Sequence, residues 1–423
     1  MVGNKRWLII IVLFLANTIN YIDRVNISVA GPEISHAFGL GPEAMGVVFS
    51  CFFYSYIPLI LVMGLLTDRF GARAVMGTGM IIWALGSAAT GAAVGLSTLI
   101  AARLLLGVGE SSSYPAGNRI VREWAPHSER GFMTSIFSCG ATAGPAVGFL
   151  VTTFLISLFD WRITFFIVAA GTLVWVLVWF WVYRSPERAS WLGKEERDYI
   201  LTKRDPVRQE AVHAMSLAAL LRQPVMWGLL LTHGCQVYSI YLFITWLPSY
   251  LRTARHLDLF AAGWLATLPY VVTTIGLLVL GFLSDFLLKG ADLSTGARRY
   301  LMFVCMVLAA CVIFVPFAES LWLMEVLVIG SILFATAANT LNYALAGDLI
   351  YDKSSAGTVF GLQVTGGNTF GFIAPVLTGF IIAQTHEYTL TFVLAGLLSL
   401  CGIAISWIIV RRPLQPITPA RPR

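Results

Sequence analysis

The run Gly64-Leu-Leu-Thr-Asp68-Arg69-Phe-Gly71-Ala-Arg73 decides the fold, because it forms a short polar turn between two long apolar segments. The flanking segments lie near residues 44–66 and 74–95. About 20 apolar residues in a helix are enough to cross the hydrocarbon core of a bilayer. The run therefore predicts a tight turn at a membrane surface between two transmembrane helices.

Outward from this turn, the sequence contains twelve apolar segments in two sets of six. They lie near residues 7–33, 44–66, 74–95, 97–119, 132–157 and 162–184, and then near 225–251, 260–288, 299–317, 321–347, 356–383 and 388–410. Hydrophobic residues make up 57% of the 423 residues and charged residues only 12%, about half the charged fraction of a soluble domain. The sequence predicts an all-α membrane protein with twelve transmembrane helices.

The predicted domains follow these segments. They are an N-terminal six-helix bundle (1–184), a cytoplasmic linker (185–223), a C-terminal six-helix bundle (224–412) and a cytoplasmic tail (413–423). The two bundles resemble each other: Gly281-Phe-Leu-Ser-Asp285 stands in the second set where the 64–73 run stands in the first. GATAGPAVG at 140–148 likewise corresponds to GGNTFGFIAPVLTG at 366–379. Two matches at equivalent positions favour a duplicated bundle over the general similarity of glycine-rich membrane helices.

The basic residues predict the orientation of the chain. If both termini are cytoplasmic, all but five of the 28 Lys and Arg residues fall in cytoplasmic segments, as the positive-inside rule requires. The five exceptions are Arg24, Arg103, Arg162, Arg252 and Arg255. Short exterior loops further predict a bacterial cytoplasmic membrane protein.

Four charged residues are expected near the bilayer centre: Asp23 and Arg24 in the first predicted transmembrane segment, and Arg103 and Glu110 in the fourth. Each charge at the bilayer centre costs about 2.5–3.5 kcal/mol on insertion scales, so we expect these side chains to face one another and a polar cavity. Arg103, Gly107 and Glu110 share one helix face. Gly107 is expected to leave room for the first helix or a substrate.

The motifs resemble a known transporter family. The Gly64–Arg73 run is similar to the signature of major facilitator transporters. Tyr21-Ile-Asp23-Arg24-Val-Asn26 and Gly109-Glu110-Ser-Ser-Ser-Tyr114-Pro115-Ala-Gly-Asn118-Arg119 resemble its anion:cation symporter branch, which includes hexuronate, galactonate and glucarate transporters. The resemblance covers essentially the whole chain. It implies two six-helix bundles related by a pseudo-two-fold axis and proton-coupled import of a sugar acid by alternating access.

The four buried charges suggest separate roles. Arg24 offers a planar fork of donors that suits a carboxylate, so it is expected to bind the substrate anion. Burial disfavours the charged form of a carboxyl group, so Asp23 and Glu110 are expected to carry protons, with Arg103 responding to the charge of Asp23. The alternative is structural: two static ion pairs, Asp23–Arg103 and Arg24–Glu110, would simply hold the helices together.

Further residues complete the expected sites. Tyr21 and Tyr56 combine an aromatic face with a polar tip that can bind hydroxyl or carboxylate groups. The resemblance adds three polar substrate contacts and places His233 where sugar-acid members carry glutamine, which leaves open a second carboxylate, a dicarboxylate or an aromatic acid as substrate. The three contacts are Thr340, Asn342 and Gln363, and the expected gating residues are Gly64, Asp68, Arg69, Gly71 and Arg73.

Other function classes fit the sequence less well. A drug–proton antiporter for cations would not place Arg24 beside its substrate, and an organophosphate exchanger would need an intramembrane cation in the second half, although an anion exchanger stays open. No nucleophile–base or metal constellation predicts an enzyme. The expected partners are a small organic anion, protons and the lipid bilayer, without nucleic acid or a cofactor, and the protein is expected to function as a monomer.

Overall fold

The computed structural model of the protein describes residues 3–204, 217–289, 297–350 and 356–410. The predicted tail, residues 413–423, lies outside the described residues, as do residues 205–216 of the predicted linker and the side chain of Asp285.

The described chain is built from helices. The first half contains α1 (Arg6–Val29), α2 (Gly31–Phe38), α3 (Pro42–Ser50), α4 (Phe52–Phe70), α5 (Ala72–Gly91), α6 (Leu96–Glu110), α7 (Ser113–Trp124), α8 (Arg130–Leu158) and α9 (Trp161–Val182). The linker contains α10 (Lys194–Lys203) and α11 (Leu217–Leu221). The second half contains α12 (Pro224–Thr253), α13 (Leu259–Leu287), α14 (Arg298–Ala309) with a 3-10 extension (Ala310–Phe317), α15 (Leu321–Leu349), α16 (Ala356–Thr385) and α17 (Thr389–Ile409).

These helices match the twelve predicted segments. Among the described residues, ten spans are long and apolar enough to cross a membrane. The other two correspond to the fourth and seventh predicted segments. The fourth is α6 and α7, interrupted at Ser111 and Ser112, and the seventh is α12, which carries buried polar residues such as His233 and Gln236. The prediction of an all-α bundle with twelve transmembrane segments is confirmed.

Local sequence explains where several helices begin and end. The Asp160 side chain accepts a hydrogen bond of 2.7 Å from the Ile163 N–H at the start of α9. The Ser320 hydroxyl caps α15 in the same way through the Leu323 N–H at 3.1 Å. Such caps satisfy N–H groups that have no partner in the first helical turn. Between α4 and α5, Gly71 adopts a φ of 83°, which L residues rarely adopt.

The helices group into two compact units. The first unit is formed by residues up to 208 together with 244–271, and the second by 209–243 and the residues from 272 onward. Within the first unit, Arg252 of α12 forms an ion pair with Glu33 of α2. Helices α12 and α13 therefore contribute to both units, whereas the predicted domains divide the chain by its transmembrane segments.

Helix α1, which carries Asp23 and Arg24, packs closely against α8. A Cβ atom added at Gly140, Gly144 or Gly148 would lie within 2.3–2.8 Å of side-chain atoms of α1. Glycines at this four-residue spacing let two membrane helices approach at the level of their backbones. The 140–148 stretch thus fixes the position of the helix that bears the charged residues.

The linker packs on the first unit at the start of α1. Arg6 donates hydrogen bonds of 2.8 Å from Nε and Nη2 to the carboxylate of Glu129 and one of 3.1 Å from Nη1 to Glu196 of α10. Glu196 also accepts the backbone N–H groups of Lys5 and Arg6, at 3.2 and 3.0 Å. It thereby satisfies N–H groups at the first turn of α1. Part of the linker is a folded element of this unit.

Aromatic residues strengthen the same contact. The ring of Trp191 in the linker stacks on Trp124 at the end of α7, with centroids 5.4 Å apart and an interplanar angle of 8°. The Arg6 guanidinium holds the pKa of the Glu129 carboxyl below its usual range, chiefly through their hydrogen bonds. The start of α1, the end of α7 and the start of α8 are thus connected to the linker.

Candidate functional site

Arg24 and Glu110 form a buried ion pair in the first unit. Arg24 Nε donates to Glu110 Oε2 at 2.7 Å, and the two side chains are 2% and 0% exposed. Two opposite charges at this distance, shielded from water, attract each other strongly, although each has lost its hydration. This is one of the two ion pairs that the structural alternative predicted from the sequence.

Three aromatic rings surround the Arg24 guanidinium. Its central carbon lies 4.7 Å from the ring centroid of Tyr21, 4.9 Å from Tyr56 and 5.1 Å from Phe52. Distances below about 6 Å give cation–π attraction, which is larger where water is excluded. The rings contact the guanidinium and its edge carries the donors. This arrangement suits recognition of a planar carboxylate.

Asp23 has a different partner from the one expected. Its Oδ1 accepts a hydrogen bond of 2.8 Å from the Ser87 hydroxyl of α5, and the whole residue is buried. No ion pair within 4.0 Å joins Asp23 to Arg103 in the described part of the chain. A serine hydroxyl can donate to a charged carboxylate or accept from a protonated one, so it can hold Asp23 in either state.

Arg103 is fully buried on α6. Its Nε and Nη1 atoms have no hydrogen-bond partner among the described residues. The guanidinium lies over the ring of Phe52, with 5.6 Å between its central carbon and the centroid. A buried cation with unused donors is costly unless anionic groups lie nearby. Arg103 is thus a buried cation with two donor atoms, Nε and Nη1, that bond to no described group.

Gly107 brings α4, and not α1, against α6. A Cβ atom at Gly107 would lie 2.2 Å from the Phe52 carbonyl oxygen and 2.3 Å from the Ser55 hydroxyl oxygen. Ser55 donates from that hydroxyl to the Leu104 carbonyl oxygen at 2.7 Å. The expectation that Gly107 makes room for the first helix or a substrate was wrong, because its open face is filled by α4.

In the second unit, His233 is paired with a tyrosine. His233 Nε2 lies 3.1 Å from the hydroxyl oxygen of Tyr343 on α15, and the two rings meet edge to face with centroids 4.7 Å apart. The Nδ1 atom of His233 is buried and has no hydrogen-bond partner in the described chain. The histidine therefore keeps one unused ring nitrogen.

The other predicted residues of this unit lie on α15 and α16. Asn342 is buried and donates to the Leu229 carbonyl oxygen at 3.1 Å, and Gln363 donates to the Asn342 carbonyl oxygen at 3.4 Å. Thr340 is exposed, and its hydroxyl bonds to the Thr336 carbonyl oxygen of the preceding turn at 3.0 Å. The structure thus connects Asn342 with Gln363, while it places Thr340 on an open face of α15.

The predicted gating run lies at the turn between α4 and α5. Asp68 pairs with Arg119 of α7 at 3.1 Å, which connects this turn to a neighbouring helix. Arg73 donates to the carbonyl oxygens of Tyr183 and Phe180 at 2.9 and 2.5 Å, which ties α5 to the end of α9. The remaining members, Gly64, Arg69 and Gly71, are partly or largely exposed.

Several neighbours of these residues were missed by the sequence analysis. Phe52 and Tyr343 are aromatic residues in apolar helices, where 27 Phe and 14 Tyr residues leave no distinguishing signal. Ser87 is one of many small residues in its helix. Arg119 belongs to the quoted 109–119 motif and Asp68 to the 64–73 run. Their opposite charges were the signal from which this contact could have been predicted.

The sequence profile of the Major Facilitator Superfamily matches residues 13–287 and 254–423. The chain belongs to this superfamily. It is a multi-pass membrane protein, and the prediction of a transporter instead of an enzyme is confirmed by the family and by relatives named as transporters.

Three relatives show which branch the chain resembles. It is 29% identical to a "Probable L-galactonate transporter" of Escherichia coli K12, over 96% of this chain and 89% of the relative. It is 32% identical to a "Probable sulfoacetate transporter" of Cupriavidus necator, over 93% and 91%. It is 28% identical to the "Hexuronate transporter" of Bacillus subtilis, over 97% and 94%. The resemblance to the hexuronate, galactonate and glucarate branch is confirmed.

Solved structures support the fold. A bacterial homologue of the human lysosomal transporter Spinster, in an inward-facing and unoccupied conformation, superimposes with a TM-score of 0.77. The match covers 97% of this chain and 98% of the other, at 18% sequence identity.

Proposed function

We propose that the protein is a proton-coupled symporter that imports a small organic anion, with sugar acids such as hexuronates, aldonates and aldarates as the substrate class. The observation that carries the proposal is the buried Arg24–Glu110 pair with its surrounding aromatic rings. Relatives named for L-galactonate, hexuronate and galactarate or D-glucarate support the substrate class.

The proposed coupling depends on competition for one guanidinium. Glu110 and a substrate carboxylate are both anionic partners for Arg24, and a buried arginine needs such a partner because an unpaired charge is expensive there. When Glu110 takes up a proton, its attraction to Arg24 falls and the fork of donors becomes available. Proton uptake and anion binding then favour each other.

Asp23 is proposed as a second proton site. Its carboxyl is held by the Ser87 hydroxyl in either protonation state, and Arg103 with its unused donors is the cation that responds. Two protons carried with a monoanion would move one net positive charge inward. The membrane potential would then contribute about 2.3 kcal/mol per charge per 100 mV.

The remaining site residues keep their proposed roles. Tyr21 and Tyr56 are proposed to contact the carbon skeleton and hydroxyl groups of the substrate, and the run from Gly64 to Arg73 to act in gating. His233, Thr340, Asn342 and Gln363 are the polar contacts proposed in the second unit. We place the protein in a bacterial cytoplasmic membrane, with both termini cytoplasmic, and propose that a monomer transports by alternating access.

A sulfonated carboxylate is a second candidate substrate. The relative named for sulfoacetate is 32% identical, and the resemblance places His233 where sugar-acid members of the branch carry glutamine. A short dianion would engage Arg24 through either acid group. Dicarboxylates and aromatic carboxylates are further candidate substrates. Exchange of one anion for another is the alternative to symport.

The test is uptake into proteoliposomes under an inwardly directed proton gradient. The panel contains galactonate, glucuronate, glucarate, sulfoacetate, a short dicarboxylate and benzoate, each with and without the gradient. We expect at least one sugar acid to accumulate above its external concentration only with the gradient. Anion exchange without net accumulation would favour the exchanger, and no movement of any anion would contradict the proposal.

A further inference from the structure

Phe52 occupies an unusual place in the first unit. The second transmembrane segment is interrupted at Cys51, so that α3 ends at Ser50 and α4 begins at Phe52. The Phe52 side chain is buried, and its ring contacts two cations, with 5.1 Å to the central guanidinium carbon of Arg24 and 5.6 Å to that of Arg103. One ring therefore contacts the cation of the proposed anion site and the cation beside the proposed proton sites.

The backbone of Phe52 is fixed against α6. A Cβ atom added at Gly107 would lie 2.2 Å from the carbonyl oxygen of Phe52, so α4 and α6 are in contact at this level. The Ser55 hydroxyl lies 2.7 Å from the Leu104 carbonyl oxygen and 3.1 Å from that of Phe52. These contacts hold the backbone of Phe52 in place, and the buried ring extends from this fixed point toward the two arginines.

A shared ring can hold two buried arginines in place. The face of a phenyl ring carries partial negative charge, so it attracts each guanidinium without neutralising it. The carboxylate of Glu110 balances the charge of Arg24, and in the proposed function it competes with a substrate for the same donors. A ring attracts the face of the guanidinium and does not bond to the N–H groups at its edge.

We propose that Phe52 is a positioning residue for anion binding, because its ring fixes the guanidinium groups of Arg24 and Arg103 through cation–π contacts. The inference rests on the proposed function, since it assumes that Arg24 binds the substrate carboxylate. In this proposal Phe52 makes no contact of its own with the substrate. It acts through the two arginines.

Progressive fluorination of the ring tests this role. Fluorine atoms withdraw charge from the ring face and change its volume little, so the series Phe, 4-fluoro-, 3,5-difluoro- and 3,4,5-trifluorophenylalanine at position 52 weakens cation–π attraction in steps. The half-saturating concentration of the best panel anion is expected to rise with each step, by about 3- to 10-fold for the trifluoro ring. The maximal counterflow rate and the unfolding temperature should stay near those of the unmodified protein.

Phe49 provides the matched control. It is a buried phenylalanine of α3 whose ring packs edge to face on Trp246, with centroids 5.2 Å apart, and in the described chain no arginine lies over it. The same fluorinated series at position 49 should leave the half-saturating concentration unchanged. Phe52→Leu, which keeps an apolar side chain without a ring face, should match or exceed the effect of the trifluoro ring.

The outcomes separate the two proposals. A half-saturating concentration that does not respond to fluorine at position 52 would overturn the inference, even if Phe52→Leu impairs transport, because the ring would then act by packing alone. An equal response at positions 49 and 52 would also overturn it. If the unmodified protein moves no anion of the panel, the proposed function itself fails.

Discussion

Arg24 Nε lies 2.7 Å from Glu110 Oε2, and neither side chain is more than 2% exposed. The group best suited to bind a substrate carboxylate is therefore already paired with a carboxylate of the protein. In the proposed function this relationship supplies the coupling, because the pair would have to loosen before an anion could take the place of Glu110. Protonation of Glu110 is the simplest way to loosen it.

Arg24→Lys tests the recognition of the anion. Lysine keeps the positive charge and loses the planar fork and the stacking on Tyr21 and Tyr56. A charge-assisted hydrogen bond contributes about 1.5–3 kcal/mol, so the half-saturating concentration in counterflow should rise about 10- to 150-fold. Arg162→Lys is the control, because Arg162 bonds to the carbonyl oxygens of Gly91 and Ala93. Equal effects of the two substitutions would contradict the role of Arg24.

Glu110→Gln tests the coupling. Glutamine has the shape of a protonated glutamate and cannot exchange protons, so the variant should bind the anion and perform counterflow. It should lose accumulation driven by a pH gradient in proteoliposomes. Glu325→Gln serves as the control, since Glu325 of α15 is also a buried glutamate, with 2% of the residue exposed, and should accumulate normally. Accumulation by Glu110→Gln at the level of the unchanged protein would contradict its role.

Gly107→Ala tests the contact between α4 and α6. The added methyl group would meet the Phe52 carbonyl oxygen at 2.2 Å, and relief of such overpacking costs about 1–3 kcal/mol. We expect a lower unfolding temperature in detergent and weaker anion binding, because Phe52 would shift. Gly171→Ala is the control, since a Cβ atom there meets nothing within 4 Å. An unchanged unfolding temperature for Gly107→Ala would count against this packing.

Glu129→Gln tests the cluster of Arg6, Glu129 and Glu196 at the start of α1. Because the pKa of Glu129 is lowered in the folded protein, its contribution to stability is complete above the usual glutamate pKa and is lost as the pH falls through the lowered value. The variant should therefore unfold at a lower temperature than the unchanged protein at pH 7. The difference should shrink as the pH falls below about 4.

The control for that experiment is Glu195→Gln, which changes an exposed glutamate of α10. It should have little effect on the unfolding temperature at any pH. If the difference in unfolding temperature between Glu129→Gln and the unchanged protein grew on acidification, this would contradict a lowered pKa for Glu129 in the folded protein.

The sequence was sufficient to predict the architecture, because membrane spans are long apolar runs and the 64–73 turn recurs in position in the second half. A charge inside an apolar segment costs free energy in the bilayer and needs a polar partner. The sequence was therefore also sufficient to find Asp23, Arg24, Arg103 and Glu110. Which charge meets which partner depends on the rotation of each helix about its axis. For that reason the Arg24–Glu110 pair was foreseen, while Ser87 as the partner of Asp23 was not.

The linker shows a second limit of sequence reasoning. Residues 185–204 are polar and were predicted to be part of a linker. In the structure, however, Glu196 is only 3% exposed and contacts Arg6, 190 residues away in the chain. Nothing in the local sequence of α10 indicates that contact. The same holds for Phe52, whose importance comes from the two cations that the fold brings to its ring.

The most direct test of the central claim is substrate-driven proton movement. Proteoliposomes containing a trapped pH-sensitive dye, without an imposed pH gradient, receive the best panel anion on the outside. We predict that the interior becomes more acidic as the anion enters in the unchanged protein and does not in Glu110→Gln. Anion uptake by the unchanged protein with no change of internal pH would contradict proton-coupled symport.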